Sequence, residues 1–239
     1  MPSDVVLEAD GVRYAYGDLV AVWDVSLTAR AGETLAIVGR NGAGKTTLMF
    51  GLAGVLPTTA GSVRIDGADM TKTSAWNRAR AGLCLVPEGK RVFREFTVEE
   101  NIALGLPRGV RGGERRARVA AVAERFPVLR DKLGALAGSC SGGQQQLIAV
   151  ASALAMQPRV LLVDEPSSGL APQAVEQVLD SLDELKREGL AIVLVEQRVE
   201  EVVTGIADRV MVVEDGRVVM ENVPEQLSLQ EIEKRLAVA

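Results

Sequence analysis

Two glycine-rich loops and an acidic pair stand out in this chain as groups able to do chemistry. The first loop reads Gly39-Arg40-Asn41-Gly42-Ala43-Gly44-Lys45-Thr46 and follows the apolar run Thr34-Leu35-Ala36-Ile37-Val38. This is GxxxxGK[ST] between a strand and a helix, a loop whose backbone N–H groups converge on phosphates. The helix N-terminus beside it favours negative charge. Lys45 supplies a point charge for the β- and γ-phosphates, and the Thr46 hydroxyl is a candidate magnesium ligand. Gly39, Asn41, Gly42, Ala43, Gly44, Lys45, Thr46 and Thr47 are the candidate ATP contacts. Four apolar residues then lead into Asp164-Glu165. A strand this apolar places its terminal aspartate at the C-terminal edge of a parallel sheet, where ligands bind. Asp164 is expected to orient Mg2+, and Glu165 to polarise an attacking water, either as general base or by orienting it. The second loop, Ser141-Gly142-Gly143-Gln144, has the form of a helix N-cap and offers another anion site.

The elements that must position these groups follow from pattern. Val5 to Leu27 alternates like strands with a turn at Gly17-Asp18. Thr34 to Val38 reads as a strand, Lys45 to Ala53 as a helix closed by Gly54, and Ser62 to Gly67 as a short strand and turn. Leu83 to Val86 is a buried strand stopped by Pro87. From Glu88 to about Met156 the pattern turns helical. Thr97-Val98-Glu99-Glu100 is a capping box, Arg108 to Arg118 reads as an exposed connection into a helix from Arg118 to Phe126, and Ser141 caps a helix with Leu147, Ile148, Ala151, Leu154 and Ala155 on one face. Strands return at Val160–Val163 and at Leu190–Val195, whose six apolar residues fit burial on both faces. Between them, Pro172 opens a helix ended by Gly189. Val210–Val213 and Arg217–Val219 form a hairpin around Asp215-Gly216, and the chain from Pro224 reads as a short amphipathic helix. The predicted fold is α/β: a P-loop NTPase (RecA-like) parallel-sheet core with an N-terminal antiparallel β subdomain. Residues 1–87 and 157–239 make the core of this single domain, and residues 88–156 make an inserted helical subdomain.

Composition narrows the function. The chain has 239 residues, 47% of them hydrophobic and 25% charged, enough for a sizeable core. A net charge of −5 disfavours nucleic acid as the main partner. Cys84 and Cys140 show no CxxC spacing and imply no disulfide framework. The chain has no histidine, so any metal must be a hard ion held by oxygens. Met1-Pro2-Ser3-Asp4 lacks the shape of a signal peptide. No apolar run approaches the ~18 residues that cross a bilayer. A membrane role therefore needs another chain to provide the span.

With both loops and the acidic pair in place, the sequence resembles the ATP-binding subunits of ABC transporters over essentially its whole length. Cys140-Ser141-Gly142-Gly143-Gln144 matches the family signature LSGGQ, with cysteine in place of leucine. The resemblance implies two subunits packed head to tail, each ATP lying between the phosphate loop of one and Ser141, Gly142, Gly143 and Gln144 of the other. Tyr16 is similar to the aromatic that stacks on adenine, with Tyr14 as the competing candidate. Ser168-Gly169-Leu170-Ala171 resembles the loop that crosses the dimer interface, where the family usually has aspartate at the position of Ala171. Glu88 replaces the glutamine that follows the strand ending Leu85-Val86-Pro87, and Gln197 replaces the switch histidine. Gln197 can donate to the γ-phosphate but carries no charge, and Glu88 can ligate magnesium or orient water. A neutral effect of each replacement stays open.

Both departures, with Thr97-Val98-Glu99-Glu100-Asn101-Ile102 and Gly169-Leu170-Ala171-Pro172, resemble the smaller ATPase subunit of branched-chain amino-acid importers. The resemblance implies an ATPase, using ATP and Mg2+, that powers import through transmembrane permease subunits at the cytoplasmic face of the membrane. A second ATP-binding subunit, different or identical, completes the dimer, and a solute-binding protein chooses the cargo. The alternatives are a urea or short-amide importer and a low-turnover subunit paired with an active one. Chromosome-maintenance ATPases would need a long coiled-coil insertion that the interval between the loops is too short to hold, and a phosphate-loop kinase would leave SGGQ unexplained. Arg108, Arg111, Arg115, Arg116 and Arg118 read either as a contact for lipid headgroups or a partner, or as a solvated face.

Overall fold

The computed structural model describes residues 4–89, 92–197 and 205–226. Its centre is a six-stranded sheet in the order β10-β9-β3-β8-β7-β6. The strands are β3 (Thr34–Gly39), β6 (Leu83–Val86), β7 (Val160–Asp164), β8 (Ala191–Glu196), β9 (Arg209–Glu214) and β10 (Arg217–Asn222). All run parallel except β10, which returns antiparallel on β9. Beside it stands an antiparallel sheet in the order β2-β1-β4-β5, from β1 (Val5–Tyr16), β2 (Leu19–Arg30), β4 (Ala60–Ile65) and β5 (Ala68–Asp69). The helices are α1 (Lys45–Leu52), α2 (Ala75–Arg80), α3 (Val98–Leu104), α4 (Gly112–Ala123), α5 (Pro127–Arg130), α6 (Gly142–Leu154) and α7 (Pro172–Arg187). Between β6 and β7 the described residues form helices and connections with no further strand.

The two-residue period of a strand explains the layers. Ala36 and Val38 of β3, Leu161 and Val163 of β7, and Ile192 and Leu194 of β8 point into one apolar cluster with α3, α6 and α7. Their alternates Leu35, Ile37, Leu162, Val193 and Val195 point into a second, filled by α1 and the antiparallel sheet. Each central strand is therefore buried on both faces, as the uninterrupted apolar runs require. A fully buried Val, Leu or Ile contributes roughly 1.5–3 kcal/mol of transfer free energy. The helices between β6 and β7 share the first cluster with the sheet through Val98, Ile102, Leu147 and Val150.

The elements differ from the sequence expectation in several places. The helix expected from Arg118 begins at Gly112. The glycine pair Gly112-Gly113 signals a loop, yet Arg118 pairs with Glu114 at 2.9 Å across one turn and Val119 and Ala123 bury the inner face. Arg115 and Arg116 are then an exposed helix face. Helix α2 was not expected, because six residues show no apolar period; Ser74 caps it. Strand β4 begins at Ala60, two residues before Ser62, and β2 runs on to Arg30, past Leu27. Lys90 and Arg91, and the C-terminal helix expected from Pro224, lie wholly or mostly outside the described residues; only a 3-10 turn at Pro224–Gln226 is seen. Among the described residues no helix is long and apolar enough to cross a membrane.

Candidate functional site

Sheet order brings the chemistry together. The C-terminal ends of β3, β8, β7 and β6 lie side by side, with Val38 opposite Glu196, Asp164 opposite Val195 and Val86 opposite Val163. Each of these strands delivers one group to that edge: β3 the loop from Gly39, β8 Glu196-Gln197, β7 Asp164-Glu165, and β6 Pro87-Glu88. A single concave surface is lined by Ala21, Asn41, Gly42, Gly44, Lys45, Thr46, Thr47, Glu88, Glu165 and Gln197.

The phosphate loop is pinned from behind. Trp23 N–H donates to Gly216 O at 2.7 Å, and Gly216 N–H donates to Ala43 O at 2.9 Å. Gly44 has φ +96°, and a Cβ there would come within 2.5 Å of Ala21 O. Only glycine fits a left-handed residue pressed so closely against β2. Ala21 is the lining residue that sequence reasoning missed, because a backbone carbonyl in an ordinary strand leaves no motif.

Lys45 is almost wholly buried, and its Nζ donates to Gly39 O at 2.7 Å and Arg40 O at 2.9 Å. Glu165 Oε1 lies 4.0 Å away. Burial lowers the amine's pKa, and Glu165, Asp164, Glu196 and Glu88 oppose that.

Among the described residues, neither carboxylate oxygen of Asp164 has a hydrogen-bond partner of ordinary geometry, although the residue is fully buried. Burial raises its pKa to about 6. Glu165 and Glu88 push the same way, and the Thr46 hydroxyl opposes them. A buried carboxylate with only the Thr46 hydroxyl beside it fits a hard cation held by few protein oxygens and completed by phosphate and water. The described residues contain no cluster of three acidic, histidine or cysteine side chains that would cage a metal alone.

Glu165 has φ +46°, and its second oxygen accepts from Gln197 Nε2 at 2.6 Å. Glu88 Oε1 accepts from Ser168 Oγ at 3.3 Å, which ties the connection after β6 to the turn after β7. Glu196, not singled out from sequence, is buried and accepts from Ser167 N–H and Ser167 Oγ, both at 2.8 Å.

The remaining candidates stand apart from this surface. Tyr14 is fully buried and packs so tightly on α1 that a Cβ on Gly51 would lie 2.3 Å from its ring. Tyr16, 49% exposed, is the tyrosine of the two that a ligand can reach. Ser141, Gly142, Gly143 and Gln144 open α6. Ser141 Oγ accepts from Gln144 N–H at 3.3 Å, and Gln144 Oε1 accepts from Ser141 N–H at 3.1 Å and from Lys132 Nζ at 3.2 Å. None of these four lines the phosphate-loop surface of its own chain.

Residues 22–168 match the family described as ABC transporter. The chain is 39% identical to the high-affinity branched-chain amino acid transport ATP-binding protein BraG of Pseudomonas aeruginosa, over 90% of this chain and 91% of that protein. It is 31% identical to the lipopolysaccharide export system ATP-binding protein LptB of Haemophilus influenzae, over 97% of this chain and 96% of that one. Among solved structures, the dimeric post-hydrolysis state of the ATP-binding cassette MJ0796 bound to ADP and Pi superposes with a TM-score of 0.80 at 27% identity. It covers 92% of this chain and all of that one.

Proposed function

This chain belongs to the ABC transporter ATP-binding subunits, which hydrolyse ATP to drive transport, and we propose that it powers import of branched-chain amino acids. The observation that carries the cargo is the likeness to BraG along nine-tenths of both chains. The likeness to LptB is as extensive in length and lower in identity, so cargo rests on that difference.

In this reading, the backbone N–H groups from Asn41 to Thr47 and the Lys45 amine hold the phosphates of ATP, and Tyr16 faces the adenine. Lys45 exchanges its loop carbonyls for phosphate oxygens. Asp164 and the Thr46 hydroxyl would hold Mg2+, with Glu88 within reach, and the ion would offset charge on the phosphates. Glu165 orients and deprotonates the attacking water, while Gln197 fixes the carboxylate and donates toward the γ-phosphate. Ser141 to Gln144, which do not line the phosphate-loop surface of their own chain, complete the site of a second subunit, so ATP closes a dimer and hydrolysis opens it. A groove lined by Val55, Trp76, Leu83, Leu104, Leu106 and Met156 lies between α2, β6, α3 and α6. It offers an apolar seat for a permease segment at the cytoplasmic face of the membrane.

The test is uptake of labelled leucine and labelled urea by cells lacking this subunit, before and after its gene is restored. Leucine uptake is expected to be lost and recovered with urea unaffected. Unchanged leucine uptake with lost urea uptake would refute the cargo and leave the motor standing.

A further inference from the structure

Glu165 sits in an unfavourable backbone state. Its φ of +46° is left-handed, and it precedes Pro166, which restricts the preceding residue further. Such a conformation persists only where its surroundings impose it. Three successive residues at the end of β8 do so. Val195 O accepts from Glu165 N–H at 2.9 Å. Gln197 Nε2 donates to the Glu165 carboxylate. Between them Glu196, 2% exposed, holds the turn by its side chain. Its Oε1 accepts from Ser167 N–H at 2.8 Å, and its Oε2 accepts from Ser167 Oγ at 2.8 Å and from Gln197 N–H at 3.2 Å.

We propose that Glu196 is a positioning residue for hydrolysis: its buried carboxylate locks the turn at residues 165–167 to the backbone of Gln197, so that the Glu165 carboxylate and the Gln197 amide meet. The inference rests on the role given to Glu165 above. A carboxylate suits the task because all three of its partners donate and it only accepts. Glutamine at this position keeps size and shape but has one accepting oxygen. The two backbone N–H groups bond different oxygens, so either orientation of the amide sets its NH2 against one of them. Asparagine or aspartate would be a methylene short of Ser167.

The experiment measures kcat and KM for ATP in Glu196→Gln, in Gln197→Ala and in the double variant, using full-length protein in its assembled transporter. Glu196→Gln is expected to lower kcat about tenfold with KM within about twofold, because misplacement of the base costs turnover rather than binding. In the Gln197→Ala background the same change should cost less than about threefold, since the clamp acts through that residue. A purely structural role predicts a lower melting temperature with kcat unchanged below it, and that result overturns the proposal, as does full multiplication of the two effects. If Glu196→Gln proves misfolded by circular dichroism, Ser167→Ala, which removes the hydroxyl donor alone, is expected to lower kcat about two- to threefold at unchanged KM. Parental kcat there overturns the clamp. Parental turnover in Glu165→Gln would instead remove the premise. An inactive Glu165→Gln beside a fully active Glu196→Gln would overturn the clamp alone.

Discussion

The side-chain amide of Gln197 donates to the Glu165 carboxylate at 2.6 Å. A position where the family usually carries a switch histidine thus holds a neutral side chain in direct contact with the proposed base. An amide can orient this carboxylate without titrating, so the pairing stays the same across neutral pH. Replacing Gln197 with alanine frees the carboxylate and should reduce kcat about tenfold with little change in ATP affinity, measured by steady-state hydrolysis and by nucleotide titration. Equal losses in both would mean that the amide serves binding instead.

Asp164 sets a conflict between stability and function. Its pKa is about 6 in the fold against 3.8 in the unfolded chain, so the folded state holds the proton more tightly. The nucleotide-free protein therefore loses stability as pH rises from about 4 to about 6, by up to about 3 kcal/mol, and the loss persists above that window. Asp164→Asn should be as stable as the parent near pH 4 and more stable by up to that amount at pH 7.5, read from urea unfolding at each pH. The same variant should lose the magnesium dependence of ATP binding. A variant less stable at pH 7.5 would show that the charge is compensated by contacts other than those described.

Arg78 makes a prediction about stability alone. The fully buried guanidinium donates to Gly51 O at 2.8 Å, Leu52 O at 2.7 Å, Met70 O at 3.1 Å and Thr71 O at 3.0 Å. It caps the end of α1 with no carboxylate among these partners. Arg78→Ala takes a donor from four carbonyls, of which Gly51 O keeps Gly54 N–H and Met70 O keeps Thr73, and it leaves a void; it should cost roughly 3–5 kcal/mol. Arg78→Lys, with its compact ammonium, should recover only part of this in denaturant melts. A loss below about 1 kcal/mol for alanine would mean that water replaces the guanidinium freely.

Much of this architecture was legible in the sequence, and the reasons differ by residue. Leu190 to Val195 announced a doubly buried strand because six apolar residues in a row have no exposed face. The loop from Gly39 and the acidic pair at Asp164 were legible because their chemistry demands fixed residue types at fixed spacing. Arg78 and Glu196 were not. A charged side chain among polar neighbours reads as surface, and nothing local says that Glu196 finds its partner in Ser167, or Arg78 its partners at the end of α1. That Tyr14 is buried and Tyr16 exposed likewise needed tertiary structure, since both stand in the same alternating strand. Helix α4 starts at Gly112, six residues before the expected Arg118, a difference that arises because glycine pairs signal loops more strongly than one ion pair signals a helix.

Ser141 is not among the residues lining the phosphate-loop surface of its own chain. Ser141→Ala should leave ATP binding by the isolated chain within about twofold, while hydrolysis by the assembled dimer falls at least tenfold. A loss of binding in the isolated chain would place the signature residues at their own nucleotide.

The most direct test of the account is Glu165→Gln, followed by light scattering and ATP turnover with Mg2+ and ATP present. With Glu165 as the base, an ATP-stabilised dimer should persist because hydrolysis is slowed by a hundredfold or more, on the order expected for loss of a general base. Hydrolysis at the parental rate, with no dimer retained, would contradict it.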